Sequence, residues 1–221
     1  MRSAAILHFA RTLFAAAIFA LSMLAGAQTP EDRLFQAIED GKPLVAEGIV
    51  AKGAVKLDAR NAEKETPLHL AIEKGYRELA EMLVKAGAPL GARSQHGETP
   101  LHYAALYEET YFVDLLLRAK ADAKARNDSG ESVLQWAVMA SHAQTAKHLL
   151  EGGSDPKTAD IKGNTLLHAC ADNGSAGMAS AFLSLGVDPR QRNREGKRPI
   201  EIARERGFFE IVKLLERFEK E

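Results

Sequence analysis

The sequence predicts an all-α solenoid in which about six helix pairs, joined by short turns and hairpin loops, stack along the chain. Three observations predict this fold class. A short segment recurs every 33 residues, apolar residues follow each copy at helical spacing, and glycines recur at fixed positions between them. A chain of 221 residues that is 46% hydrophobic and 27% charged also suits a packed protein rather than a disordered one.

The recurring segment marks the start of the first helix in each pair. Its five copies read TPLHLA, TPLHYA, SVLQWA, TLLHAC and RPIEIA, and they begin at residues 66, 99, 132, 165 and 198. Thr or Ser opens four of the five copies, and its hydroxyl can cap the unpaired N–H groups of a helix start. Proline, where it follows, suits the first helical turn because its missing N–H would have no partner there. The copies therefore predict five evenly spaced helix starts.

A second helix follows each of these starts. Positions 13 and 17 residues into each copy are almost all apolar, and because they differ by four they share one helix face. These positions hold Leu79 and Leu83, Phe112 and Leu116, Thr145 and Leu149, Met178 and Phe182, and Ile211 and Leu215. A single helix pair of this size cannot bury its own apolar face, so the sequence predicts that each pair packs against the next.

Glycines separate the helices and end the second helix, where a left-handed backbone is needed. Other residues replace glycine at some of these positions. Lys120 stands where other copies have Gly87, Gly153 and Gly186, and Glu108 stands where Gly75, Gly174 and Gly207 separate the two helices. We therefore expect a strained or altered turn in this part of the chain.

The period, the Thr-Pro start and the glycine positions resemble the ankyrin repeat, whose 33-residue unit carries a T-P-L-H-x-A signature. The resemblance divides residues 64–221 into five repeats, at about 64–96, 97–129, 130–162, 163–195 and 196–221, the last being a C-terminal cap. Residues 28–63 resemble a degenerate capping repeat, because LFQAIEDGK at 34–42 parallels LHLAIEKGY at 68–76. Counting this cap as the first, the chain has six repeats.

The resemblance also implies roles for individual residues. His69, His102 and His168 would be structural, bonding the preceding Thr and nearby backbone. Partners would bind the concave face, which the turn tips and the first helices form. Cys170, the only cysteine, replaces the Ala of the repeated segment, and we expect it to be buried and unreactive.

The first 27 residues have the order of a secretory signal peptide. Arg2 and Arg11 precede or flank an apolar run at 12–24, and Ala-Gly-Ala follows at 25–27. The run is shorter than the roughly 20 residues of a membrane span, although an uncleaved anchor is the alternative. We expect cleavage, export to the bacterial periplasm or beyond the cell, and no membrane span afterwards.

The sequence predicts a binding protein rather than an enzyme. It contains no phosphate-binding, nucleophile-elbow or zinc-protease motif, and we expect neither a cofactor nor a metal. A formal net charge of −1 does not favour nucleic acid as a partner. We expect a monomer that binds another protein, such as a toxin that it inhibits or an envelope enzyme that it protects.

Candidate partner-binding residues concentrate in the third and fourth repeats. Tyr and Trp are favoured interface anchors, and Met adapts to irregular partners. The segment HYAALYEETYF is expected to place its tyrosines on or near the exposed end of a first helix. Whether Tyr103 and Trp136, one period apart, are exposed or pack between repeats stays open. Charged tip residues would form a rim. The candidates are Tyr103, Leu106, Tyr107, Tyr111, Trp136, Met139, Arg93, His96, Arg126 and Asp128.

A basic cluster near the C-terminus supports an alternative function. The segment RQRNREGKR at 190–198 could bind anionic envelope material. The interpretation we favour is a solvated turn whose charges nearby glutamates offset. Its basic residues are Arg190, Arg192, Arg194, Lys197 and Arg198.

Overall fold

The computed structural model describes residues 28–220, and within that range it contains twelve helices and no strand. The predicted all-α solenoid of six helix pairs is therefore confirmed. The predicted signal peptide at 1–27 lies outside the described residues. In chain order the pairs are α1 (Pro30–Glu39) and α2 (Pro43–Ala51), α3 (Pro67–Glu73) and α4 (Arg77–Lys85), α5 (Pro100–Ala104) and α6 (Tyr111–Arg118), α7 (Val133–Met139) and α8 (Ala143–Glu151), α9 (Leu166–Asn173) and α10 (Ala176–Ser184), and α11 (Pro199–Arg206) and α12 (Phe209–Lys220).

The five predicted first-helix starts are confirmed. In each case the helix begins one residue after the opening residue of the repeated segment, which adopts an extended backbone as its N-cap. Arg198 opens the last copy in place of Thr. There the Glu201 carboxylate accepts the backbone N–H of Arg198 at 2.8 Å, just as His69 Nδ1 accepts the backbone N–H of Thr66.

The core runs along the whole stack as columns of equivalent residues. Helices that pack extensively against each other belong either to the same repeat or to adjacent repeats. The columns that are buried throughout include Leu68, Leu101, Leu134, Leu167 and Ile200 on the first helices, and Leu83, Leu116, Leu149, Phe182 and Leu215 on the second helices. Burial of one such side chain contributes roughly 1.5–3 kcal/mol. Because neighbouring repeats complete this burial, apolar packing is shared along the stack rather than contained in one repeat.

The turn tips are also joined from repeat to repeat. One backbone N–H donates to a carbonyl of the preceding tip at each junction: Gln95 to Glu63 at 2.7 Å, Asp128 to His96 at 2.9 Å, Ile161 to Ser129 at 2.9 Å, and Arg194 to Lys162 at 2.8 Å. The spacing is tight at Gly130, where a Cβ would lie 3.0 Å from the backbone nitrogen of Ile161. The tips therefore form a regular ladder.

Within residues 28–220, three non-glycine residues adopt a left-handed backbone, each in a column that other repeats fill with glycine. Lys64, Lys120 and Ser141 have φ values of 58°, 71° and 64°. The expected strain at Lys120 is confirmed, because the turn keeps its left-handed shape without glycine. Glu108 behaves differently: α5 ends at Ala104, and Glu108 lies in the irregular segment before α6.

Along residues 28–220, no helix has the length and apolarity that crossing a membrane requires.

We predict that Lys120→Gly stabilises the protein by about 1 kcal/mol, because glycine adopts the observed φ without a steric penalty. Urea denaturation measures the change. Lys147→Gly is the matched control: it makes the same replacement inside the regular helix α8, where glycine should cost about 1 kcal/mol. Destabilisation by both substitutions would show that the turn at Lys120 carries no strain.

Candidate functional site

A histidine brace connects each of several first helices to the next repeat. The backbone N–H of Thr66 donates to His69 Nδ1 at 3.1 Å, and His69 Nε2 lies 3.2 Å from the carbonyl oxygen of Glu98. His102 and His168 repeat this arrangement with the carbonyls of Glu131 and Lys197. Because Nδ1 accepts, Nε2 must carry the proton and donate, so the rings are neutral. The predicted structural role of these histidines is confirmed.

Tyr103 and Trp136 pack against these braces. The Tyr103 ring meets His69 edge to face with centroids 5.1 Å apart, and Trp136 meets His102 in the same way at 5.4 Å. The Tyr103 hydroxyl donates to the Glu65 carboxylate, and Trp136 Nε1 donates to Glu131 Oε2 at 3.0 Å. Both side chains are half-buried. The sequence left open whether these two rings are exposed or pack between repeats. In the structure, each ring packs between repeats and also lines a pocket.

That pocket, which we call the aromatic pocket, has a volume of about 320 Å³. Its walls come from the second, third and fourth repeats, and its lining residues are Glu65, Glu73, Glu98, Tyr103, Leu106, Tyr107 and Trp136. Leu106 is 51% exposed at its rim. The Tyr107 hydroxyl donates to the Glu73 carbonyl oxygen at 2.5 Å, which ties the third repeat to the second. Four of the predicted partner-binding residues therefore meet in one place.

The aromatic pocket is acidic. Three of its seven lining residues are glutamates and none is basic. Burial, and then the charges of Glu73 and Glu63, raise the pKa of Glu65, against the lowering effect of its hydrogen bonds from Tyr103 and Asn61. Burial and the nearby Glu65 carboxylate also raise the pKa of Tyr103. Both shifts have burial as their largest cause, and both groups lie near other carboxylates.

Tyr111 and Met139 lie outside this pocket. Tyr111, expected on or near the exposed end of a first helix, begins the second helix α6, whereas α5 ends at Ala104. Its hydroxyl donates to Glu81 Oε1 at 2.6 Å. Met139 ends α7 with 52% of its surface exposed and lines a second, larger groove of about 530 Å³ over the fourth to sixth repeats.

The larger groove contains the one departure from the histidine column in the central repeats. Gln135 replaces the histidine, and its Nε2 donates to the Asn164 carbonyl oxygen at 3.5 Å. Its buried Oε1 has no hydrogen-bond partner. Gln135 therefore reproduces only the hydrogen bond to the next repeat, and this bond is weaker than the one that histidine makes.

The predicted charged rim is largely engaged between repeats. Arg93 Nη1 donates to the Arg126 carbonyl oxygen at 2.9 Å, and Arg93 Nη2 pairs with Asp128 at 2.8 Å. Arg126 donates to the Ala159 carbonyl oxygen at 2.6 Å. His96 contributes its backbone carbonyl to the tip ladder. These four residues lie on the predicted tips, but the contacts of Arg93, Arg126 and Asp128 support the stack itself.

The basic cluster is offset by glutamates of the last repeat. Arg192 and Arg198 pair with Glu201 at 3.3 and 3.2 Å, and Lys197 pairs with Glu205 at 2.7 Å. Arg190 and Arg194 are exposed. Exposed pairs of this kind contribute little to stability, but they lower the net charge that an anionic surface would meet.

Two further features bear on chemistry. Among residues 28–220, no group of three or more His, Cys, Asp or Glu side chains is arranged to hold a metal ion.

Cys170 is fully buried, as predicted, and burial raises the pKa of its thiol to about 12. A thiol in this environment is a poor nucleophile, because the thiolate is the reactive form.

Sequence reasoning missed the contribution of Glu73 to the aromatic pocket. Glu73 lies 33 residues before Leu106, so the two residues occupy equivalent positions in neighbouring repeats. This equivalence could have predicted that Glu73 lies close to Leu106. Glu65 and Glu98 recur at the same spacing at the turn tips. Their convergence on Tyr103 depends on how far side chains reach across repeats, which the period alone does not specify.

Comparisons with known proteins identify the repeat. Family models described as ankyrin repeats match residues 81–160 and 134–220, in a three-copy model, and residues 49–104, in a many-copy model. No curated protein sequence gives a significant match.

Solved structures resemble the chain over most of its length. The ankyrin repeat domain of Bcl-3, described as a unique member of the IkappaB protein family, is 30% identical with a TM-score of 0.73, over 88% of this chain and 87% of that one. The ankyrin repeat protein EF0377 is 22% identical with a TM-score of 0.76, over 85% of this chain and 98% of that one. The second similarity concerns the fold alone.

We predict that the histidine braces make stability depend on pH. Burial lowers the pKa of His69 and His102 to about 4, whereas unfolded histidine titrates near 6.5. The unfolded state therefore binds more protons between these values, and stability is lost as the pH falls from about 6.5 towards 4. The loss is up to roughly 3 kcal/mol for each ring.

The double variant His69→Gln/His102→Gln tests this prediction by urea denaturation between pH 7 and 5. Glutamine is the matched replacement, because Gln135 occupies the same column naturally. The variant should be less stable at pH 7 and should have a flatter pH dependence. An unchanged slope would mean that these histidines do not control the acid sensitivity.

Proposed function

Because the chain belongs to the ankyrin repeat family, we propose that it is a binding module that docks a protein partner on the concave face of its second to fourth repeats. Ankyrin repeats generally mediate protein–protein interaction, and proteins built from them are typically non-enzymatic. Within this chain, the aromatic pocket is the observation that carries the proposal. It gathers Tyr103, Leu106, Tyr107 and Trp136 at one place on that face.

The aromatic pocket is suited to docking because its walls are already ordered. Tyr103, Tyr107 and Trp136 each hold a hydrogen bond, so they lose little further freedom when a partner binds. Leu106 adds exposed apolar surface at the rim of this pocket, and Met139 adds exposed apolar surface in the larger groove. Rigid aromatic walls with an apolar margin are typical of the energetic centre of a protein interface.

We also propose that the protein acts outside the cytoplasm, most simply in a bacterial periplasm. This proposal is supported by residues 1–27, whose charged, apolar and small-residue order is that of a signal peptide. The partner would then be an envelope protein, either a toxin that the concave face occludes or an enzyme that it protects. The alternative, binding of anionic envelope material, has less support because Glu201 and Glu205 pair with three of the five basic residues.

We predict that Leu106→Ser/Met139→Ser weakens partner binding at least tenfold, an effect of about 1.4 kcal/mol or more. Both residues are about half exposed, so the substitutions should change stability by only about 0.5 kcal/mol. The immobilised protein and the variant would be compared by quantitative capture from envelope extract, followed by affinity measurement with the purified captured protein.

Leu185→Ser/Phe209→Ser is the matched control. These residues are 46% and 72% exposed, but Leu185 directly follows α10 and Phe209 begins α12, away from the aromatic pocket. The control pair should bind normally. Loss of binding in the control with normal binding by Leu106→Ser/Met139→Ser would place the interface elsewhere. Loss with Arg190→Ala/Arg194→Ala alone would favour the anionic alternative.

A further inference from the structure

We propose that the aromatic pocket receives a cationic side chain of the partner protein, with arginine as the best fit. This inference rests on the proposed function and specifies the chemistry of the partner's anchor. It follows from three properties of the pocket: its charge, its hydrogen-bonding capacity and its size.

The charge of the pocket calls for a positive ligand. Glu65, Glu73 and Glu98 contribute carboxylates to the lining, and no lysine, arginine or histidine is among the lining residues. The neighbouring His69 and His102 rings are neutral braces and cannot offset this charge. A cation entering here would relieve the repulsion between Glu65 and Glu73, so charge complementarity favours it.

The pocket offers hydrogen-bond acceptors rather than donors to a ligand. Its three aromatic donors are already used within the chain: the Tyr103 hydroxyl on Glu65, the Tyr107 hydroxyl on the Glu73 carbonyl, and Trp136 Nε1 on Glu131. The remaining polar side-chain atoms of the lining are carboxylate oxygens, which only accept; Glu65 and Glu98 also accept hydrogen bonds from Asn61 and Ser94. A ligand rich in donors therefore fits, and guanidinium carries five N–H groups and no acceptor.

The aromatic rings favour the same ligand. Tyr103, Tyr107 and Trp136 line the pocket, and a cation that approaches the face of an aromatic ring is attracted by the ring quadrupole. A planar guanidinium can also stack on these rings. Leu106, exposed at the rim, offers apolar contact for the methylene stem of a long cationic side chain.

The size and surroundings of the pocket point to one side chain of a larger molecule. A volume of about 320 Å³ lies at the lower end of the roughly 300–1,000 Å³ seen for ligand sites. The larger groove of about 530 Å³, which includes Met139, lies further along the first helices. A partner segment that inserts an arginine in the aromatic pocket could therefore continue along the same face.

Trp136 provides a direct reading of occupancy because it is the only tryptophan in the chain. Its indole N–H gives a single, identifiable NMR resonance from the wall of the pocket. The purified protein would be titrated with N-acetyl-arginine amide, N-acetyl-lysine amide and N-acetyl-citrulline amide. Citrulline is the uncharged analogue of arginine, so it controls for shape and apolar contact.

We expect saturable displacement of the Trp136 resonance by the arginine amide, with an affinity about tenfold or more above that of the citrulline amide. The lysine amide should fall between the two, because its ammonium is compact and does not stack. Equal responses to the arginine and citrulline amides, or no response to either cation, would overturn the proposal.

Glu98→Gln tests the role of charge without removing a partner of Tyr103 or Trp136. It should reduce the affinity for the arginine amide about threefold to tenfold, because it removes one carboxylate from the lining. Glu195→Gln is the matched control, since it removes a tip carboxylate from the larger groove instead. Equal losses in both variants would show a diffuse surface charge rather than a pocket for the cation.

The two proposals fail in different ways. If the arginine amide binds at Trp136 but no partner depends on Leu106 and Met139, the cation site stands and the proposed docking function fails. If a partner depends on those residues but arginine and citrulline amides behave alike, the docking function stands and the cationic anchor is wrong.

Discussion

The interaction on which the structure depends is the completion of each repeat by its neighbour. His69 reaches the Glu98 carbonyl, His102 reaches the Glu131 carbonyl, and the backbone ladder joins successive tips. The buried columns of leucine, isoleucine and phenylalanine extend the same dependence through the core. A 33-residue unit with two short helices lacks the volume to form a core alone, so burial must be shared with adjacent copies.

The aromatic pocket is a product of this coupling. Tyr103 belongs to the third repeat, yet its hydroxyl bonds Glu65 and its ring packs on His69, both in the second repeat. Tyr107 makes the same kind of connection to the Glu73 carbonyl. The contacts that hold neighbouring repeats in register therefore also order the pocket walls before any partner arrives. Preorganisation of this kind lets more of the contact energy appear as affinity.

The 33-residue period predicted the local structure within one repeat. It did not predict the side-chain contacts between neighbouring repeats. Helix starts such as Thr66 and the left-handed turn at Lys120 follow from one column of the sequence. The sequence did not specify that α5 ends at Ala104 and that Tyr111 begins α6, because Glu108 stands where glycine separates the helices in other repeats. The bonds of Arg93 and Arg126 to backbone carbonyls, and the place of Glu73 in the pocket, depend on distances between repeats. The period contains no information about those distances.

The most direct test of this account is native-state hydrogen exchange, resolved along the chain, in the protein and in Ile200→Ala. Ile200 is buried in the first helix of the last repeat, and the substitution should cost about 2–4 kcal/mol. If each repeat is stabilised only by its neighbours, protection from hydrogen exchange should fall mainly in α9 to α12. Helices α3 to α6, around the aromatic pocket, should remain protected. An equal loss of protection in all six helix pairs would contradict the account, because it would show one indivisible core.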